Sequence, residues 1–221
     1  MPKEIFVQFV TFKLQPSLRN LSKEDKAYAK EELINRLNRD DMAPAHLYLA
    51  IGAATADLIL WVVGSSPEDT EARIRNLLTT TLGRSLTPSY SCLGFVKESQ
   101  HSSLDVIDKL MRKKERNKYL IFYPFSKTPH WYLLEKSDRD TMMAEHMKIA
   151  KTFPGIKQYL IRSYGLFEDE FVVSYETEYL QLFQEAVVAL RSARVREYTM
   201  NERPIFLGMH AKPKEILDTL F

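Results

Sequence analysis

A chain of 221 residues, 45% hydrophobic and 27% charged, is long enough for one large domain or two small ones with a full core. Its net charge of +2 is too small to point to nucleic acid, and no basic-aromatic binding module accompanies it. Cys92 is the only cysteine, which excludes an internal disulfide. No apolar run approaches a membrane span, and the first twelve residues lack a signal peptide's apolar core, so the expectation is a cytoplasmic protein without nucleic-acid or membrane partners.

In chain order, Ile5–Leu14 alternates apolar with polar residues, the period of a strand. Ser22–Leu37 follows as a helix, with Ser22 placed to cap it and Glu24 and Asp25 in the first turn, where the helix dipole favours negative charge. Leu47–Gly52 and Ala56–Val63 read as strands joined by a small-residue turn. Ser66–Leu82 reads as a helix with an Ile74, Leu77, Leu78 stripe, and Tyr90–Lys97 as a strand. The order βαββαβ is that of a ferredoxin-like unit. Residues 101–117 join the halves. Leu104, Ile107, Leu110 and Met111 permit a short helix there, and Lys113, Lys114, Arg116 and Lys118 form a basic run, ordinarily a solvated face and alternatively a phosphate or propionate contact.

The second half repeats the pattern. Phe122 over Phe9 gives an offset of 113 positions; Tyr175 over Trp61 and Gly208 over Gly94 give 114. The expected architecture is α+β: one ferredoxin-like repeat over 1–100, a linker over 101–117, and a second repeat over 118–221. Two open sheets with apolar faces to cover would pack into a dimeric α+β barrel within one chain.

Residues 118–165 carry the unusual chemistry. Tyr119, Ile121, Tyr123 and Phe125 alternate onto one strand face. A helix follows, with Ser137 able to cap it, Asp138 and Asp140 in the first turn, Lys148 and Lys151 in the last, and Pro154-Gly155 as its stop. Its apolar stripe is Met142, Met143, Ile149, Ala150 and Phe153, and His146 falls inside it. Lys157, Tyr159 and Ile161 share a face of the next strand. A lone histidine on an apolar helix face is ordinarily a core residue with its nitrogens satisfied. Surrounded by methionines and aromatics, it also suits the axial ligand of a flat apolar macrocycle. Other chemistries lack their residues: there is no glycine-rich phosphate loop, no nucleophile elbow, and His46, His101, His130 and His210 stand apart from any zinc spacing.

The run Tyr123-Pro124-Phe125-Ser126-Lys127, then Trp131-Tyr132, then Met142-Met143-Ala144-Glu145-His146, resembles the chlorite dismutase family, which includes coproheme decarboxylases and many archaeal members. The resemblance runs on through Tyr164-Gly165-Leu166 and Phe171 to Pro204–Gly208, in the manner of a divergent archaeal-type member. It implies the duplicated ferredoxin-like fold, haem b or coproheme as iron cofactor, peroxide as a substrate, and a homo-oligomer, commonly a pentamer.

Residue by residue, the resemblance implies His146 as the proximal haem ligand, Lys127 as the lysine that braces the ligand's carboxylate partner, and Trp131 and Tyr132 as the aromatic pair flanking the macrocycle. The position of that carboxylate falls on Arg194, with Glu197 the other candidate. Thirteen residues beyond the ligand, where active chlorite dismutases carry arginine and decarboxylases often carry glutamine, stands Tyr159. A phenol lacks the permanent planar charge of a guanidinium, so efficient chlorite decomposition is not expected. Tyr159 is instead a candidate to hydrogen-bond peroxide or reach the iron. Tyr123 matches the tyrosine that decarboxylases oxidise to a radical. The implied activity is therefore a peroxide-dependent oxidoreductase, coproheme decarboxylase or peroxidase-like. The alternative is a non-catalytic scaffold that binds haem weakly or takes another apolar ligand.

Overall fold

Apolar residues at every second position, Ile5, Val7 and Phe9, make β1 (Glu4–Leu14) the strand around which the first half assembles. The computed structural model describes residues 4–97, 107, 110–111 and 116–220. It divides the chain into two compact units, residues 1–116 with 207–221, and residues 117–206.

In the first unit β1 is followed by α1 (Lys23–Leu37), which Ser22 caps by accepting the Asp25 N–H at 3.0 Å. Then come β2 (Ala45–Ile51), β3 (Leu58–Gly64) and α2 (Pro67–Leu78), capped in the same way by Ser66. The helix ends at Leu78, four residues earlier than the periodicity predicts. The chain folds back so closely at Gly83 that a Cβ there would run into the Leu77 carbonyl oxygen. β4 (Leu86–Lys97) begins four residues earlier than expected and shifts register against β1 near Pro88, which hid its period. The antiparallel order β4-β1-β3-β2 is ferredoxin-like. Val10, Phe12, Leu58, Leu60 and Val62 form one core with Ala29, Leu33 and Leu37 of α1 and Ile74 and Leu77 of α2. Arg73 of α2 is buried as well. Its guanidinium donates to the Arg36 and Leu37 carbonyls (2.8 and 2.7 Å) and so satisfies the C-terminal end of α1.

The linker, with Lys113 and Lys114 of its basic run, lies largely outside the described residues. Within them Ile107 and Leu110 are buried, and Arg116 is no solvated cation. It stacks over Trp61 at 4.4 Å and donates to His46 Nε2 at 2.7 Å.

The second unit runs β5 (Tyr119–Lys127), α3 (Pro129–Leu133), α4 (Lys136–Ala150), β6 (Lys157–Arg162), β7 (Phe171–Thr177), α5 (Leu180–Leu190), a 3-10 turn over Arg194–Tyr198, and β8 (Thr199–Met200). Its antiparallel order β8-β5-β7-β6 repeats that of the first. The chain is thus a tandem ferredoxin-like α+β duplication. The ladders fix the repeat at 113 positions: Val10 pairs with Leu60 as Tyr123 pairs with Val173, and Leu47 with Leu60 as Leu160 with Val173. Trp61 therefore corresponds to Ser174, one residue away from the expected Tyr175.

Ser137 does not cap α4. The helix starts at Lys136 with Glu135 at its N-cap and no side-chain cap bond, and the Ser137 carbonyl already accepts from the Thr141 hydroxyl. Beyond the second unit, β9 (Phe206–His210) pairs antiparallel with β2, and α6 (Pro213–Leu220) adds Ile216 and Leu217 to the first core. Gly208 permits that pairing, since a Cβ there would stand 2.9 Å from the Tyr48 Cβ. Residues 207–221 consequently group with the first unit rather than with the repeat that precedes them. No helix among the described residues is long and apolar enough to cross a membrane.

Candidate functional site

α4 buries none of its 15 residues. Part of its apolar stripe, with Met143 and Ala150, fronts a cavity of about 540 Å³ inside the second unit, a volume within the roughly 300–1,000 Å³ usual for cofactor sites. Met143, His146, Met147 and Ala150, spaced i, i+3, i+4 and i+7, line one wall. The helix is braced beside the cavity, where Met142, Met143 and Ile149 pack on Trp131, Ala193 and Val195. The sheet supplies a second wall through Tyr123 and Phe125 of β5, Gln158 and Leu160 of β6, and Phe171, Val173 and Tyr175 of β7. Phe183, Val187 and Leu190 of α5 supply a third.

His146 is half-buried, and among the described residues neither ring nitrogen has a hydrogen-bond partner. Burial, with the nearby Lys127 charge second, lowers its pKa, so the imidazole is neutral near pH 7 and keeps a lone pair for a ligand. Three cations and a carboxylate form the cavity's polar end: Lys127, Arg191, Arg196 and Glu202. Lys127 donates to Thr199 Oγ1 at 2.9 Å and lies 4.8 Å from the Trp131 ring centre. Burial pushes its ammonium down to about 8, against the opposing pull of Glu202. Glu202 is ion-paired with both Arg196 and Arg191, the latter at 3.3 Å. Tyr123 stands with its ring centre 6.0 Å from that of Tyr175. Burial raises both phenols, so both are neutral.

Of the residues expected at the site, His146, Lys127, Trp131 and Tyr123 all line the cavity. Tyr159 does not. Side chains alternate along β6, so Gln158 and Leu160 reach the cavity while Tyr159 is buried on the opposite face, its hydroxyl donating to Glu176 Oε2 at 3.2 Å. That one-residue difference in register takes Tyr159 off the cavity wall, where the sequence expectation places it. Tyr132 is also misplaced. It follows Trp131 on a single helical turn and points outward, donating to Glu170 and sharing a 3.0 Å hydrogen bond with the Tyr164 hydroxyl. Neither candidate for the histidine's carboxylate partner lines the cavity. Arg194 pairs with Glu145 at 2.8 Å, and Glu197 borders a separate cleft beside His130 and Leu133.

The residues missed from sequence are Gln158, Arg191, Arg196 and Glu202. Strand alternation through β6 was the available signal for Gln158. The other three sit at a helix end, a turn and a loop, where no period marks them.

No group of three or more His, Cys, Asp or Glu among the described residues could hold a metal ion. His146 as a sole protein ligand fits iron already held by the four nitrogens of a macrocycle, and the apolar walls fit the macrocycle's faces. The cationic end fits carboxylates at its edge.

The chlorite dismutase family model matches residues 23–211. A coproheme decarboxylase of Mycolicibacterium smegmatis is 24% identical over 202 residues, covering 89% of this chain and 87% of its own. That of Staphylococcus carnosus is 25% identical over 226 residues, covering 93% and 90%. The structure of a chlorite dismutase from Candidatus Nitrospira defluvii superposes with a TM-score of 0.86 at 25% identity, over 97% of this chain and 94% of the other.

Proposed function

Because this chain belongs to the chlorite dismutase family, we propose that its second unit binds haem b or coproheme through His146 and works as a peroxide-dependent oxidoreductase, coproheme decarboxylase or peroxidase-like. The observation that carries this reading is the unpartnered, neutral imidazole of His146 on the wall of an apolar cavity with a cationic end. An iron porphyrin held there supplies a redox-active metal and a conjugated ring that exchange single electrons.

The chain's own residues do the rest. Met143, Met147, Phe125, Leu160 and Phe183 exclude water from the faces of a flat ligand. Lys127, Arg191 and Arg196 orient its carboxylates with charge-assisted hydrogen bonds. Gln158 brings a neutral carboxamide through the sheet wall, able to donate to or accept from a peroxide. Glutamine is the residue the family resemblance associates with decarboxylases, and the sheet wall carries no guanidinium of the kind associated with chlorite decomposition. Tyr123, held as a neutral phenol, can release a proton and an electron together. A homo-oligomer, five-fold by family resemblance, and a cytoplasmic setting belong to the same reading, and light scattering checks the subunit number.

Titration of the chain with ferric coproheme and with haem tests the proposal. A shifted Soret band is expected, and His146→Ala should abolish the shift; a wild-type shift that persists in that variant would remove the axial ligand from the scheme. With peroxide added, Gln158→Leu should slow the reaction about tenfold or more, the scale of one lost polar contact to a reacting group. Tyr159→Phe should leave the rate unchanged.

A further inference from the structure

A second cavity, of about 770 Å³, adjoins the first within the same unit. Tyr123, Phe183, Val187, Arg191, Arg196 and Glu202 line both, so the ion cluster of Glu202 with its two arginines lies at their shared boundary. Among those six, Tyr123 alone has a side chain that gives up an electron readily. A residue with this chemistry that lines two adjoining cavities can be oxidised from one and reduced from the other.

The second cavity's remaining lining states what it would accept. Ile121, Met200 and Ile205 offer apolar contact for a ring. Three arginines face three carboxylates there, Glu168, Asp169 and Glu202, so the charges balance and neither an anion nor a cation is favoured. Arg191 and Arg196 are committed to Glu202, and Asp169 accepts from Ser126 at 2.8 Å. Asn201, Arg203 and Glu168 have no side-chain hydrogen-bond partner among the described residues and remain for a ligand's hydroxyl groups.

We propose that this second cavity binds a neutral hydroxylated aromatic, a phenol or hydroquinone, as the electron donor that restores Tyr123. The inference rests on the porphyrin reading given above. In the step, the donor's O–H bond breaks and the Tyr123 O–H re-forms, one proton and one electron passing together to the Tyr123 phenoxyl. One hydrogen peroxide, the oxidant at the first cavity, takes up two electrons and two protons from two donor molecules and leaves as two waters.

Guaiacol is the probe. Titrated into the ligand-free chain and followed by amide NMR, it should shift the Asn201 and Arg203 resonances and spare those of Met143 and Ala150. Ile205→Trp places a large ring in the cavity at an exposed position and should weaken guaiacol binding about tenfold. In the coproheme-loaded protein the same variant should raise the KM for guaiacol by a similar factor and leave the coproheme titration unchanged. Guaiacol shifts confined to α4, or an unaltered guaiacol affinity in Ile205→Trp, would overturn the proposal. So would a weakened coproheme titration in that variant, because the second cavity would then be part of the porphyrin site. Failure of the porphyrin reading shows separately, as the absence of a His146-dependent Soret shift, and the ligand-free guaiacol titration still decides whether the cavity takes a phenol.

Discussion

The two units present equivalent ladder positions to their helices and fill them differently. In the first, Val10, Phe12, Leu58 and Leu60 meet Ala29, Leu33, Ile74 and Leu77 and are buried. In the second, the positions 113 residues on are Tyr123, Phe125, Phe171 and Val173, and they face the void that α4 borders. Emptying 540 Å³ in a rigid core at ~24 cal/mol per Å³ would cost about 13 kcal/mol, comparable to the whole net stability of a domain. The second unit cannot hold that space dry and empty. It stands open to water, so the same scaffold that fills its core in the first unit leaves in the second a cavity that an apolar ligand would fit.

Truncation at equivalent positions is the strongest way to break this contrast. Leu47 and Leu160 occupy the same ladder position in the two units. Leu47 is 6% exposed inside the filled core, and Leu160 is 39% exposed at the cavity. By urea denaturation of the ligand-free protein, Leu47→Ala should cost about 2–5 kcal/mol and Leu160→Ala under about 1 kcal/mol. Equal losses would mean that the cavity closes in solution.

The repeat was visible in sequence because Phe9 and Phe122 sit in matching patterns; α1 announced itself through its serine cap and acidic first turn, and α2 through its Ile74, Leu77 and Leu78 stripe. Two misplacements share a cause. Tyr175 set over Trp61, and Tyr159 set at the cavity, are each off by one residue, and in a strand one residue exchanges the faces. Tyr159 and Ile161 do form the apolar face of β6, but this sheet turns Gln158 and Leu160 towards its site. The stripe on α4 was legible; what it faces was not, since period reports which side is apolar and not whether protein covers it. Glu202 could not have been found by pattern, because only the chain's path from the 3-10 turn through β8 brings it to Arg191 and Arg196.

A smaller effect sharpens the contrast through charge. Lys127 titrates at about 8 in the folded chain, below the ~10.4 of an unfolded lysine. Below about pH 8 both states carry the proton, and the cost of burying the ammonium is fully present. Between about 8 and 10.4 the unfolded chain holds more protons than the folded one, so stability contributed by this group rises with pH. Lys127→Met should therefore help the ligand-free protein most at pH 7, relative to wild type, and progressively less as pH approaches 10. Denaturant midpoints at the two ends measure this. A difference independent of pH would show that Lys127 is solvated and that the cavity's polar end does not bury its ammonium.

The smallest expected effect separates the helices themselves. α1 has the Ser22 cap bond at 3.0 Å and buries Ala29, Leu33 and Leu37; α4 has no side-chain cap and buries nothing. Ser22→Ala should cost about 1 kcal/mol, the usual loss of an N-cap. Ser137→Ala, inside α4, should stay within about 0.5 kcal/mol and can even stabilise, because alanine is the better helix former there. Urea unfolding of the two variants side by side measures both. A full cap-sized loss at Ser137 would mean that α4 begins two residues later in solution, at Asp138 rather than Lys136. It would also mean that the helix bearing His146 has an anchor of its own, whereas without one it depends on Glu145 pairing with Arg194 and on the Trp131, Ala193 and Val195 cluster. That dependence leaves α4 free to settle against whatever occupies the cavity, which a helix locked by its own core, as α1 is, could not do.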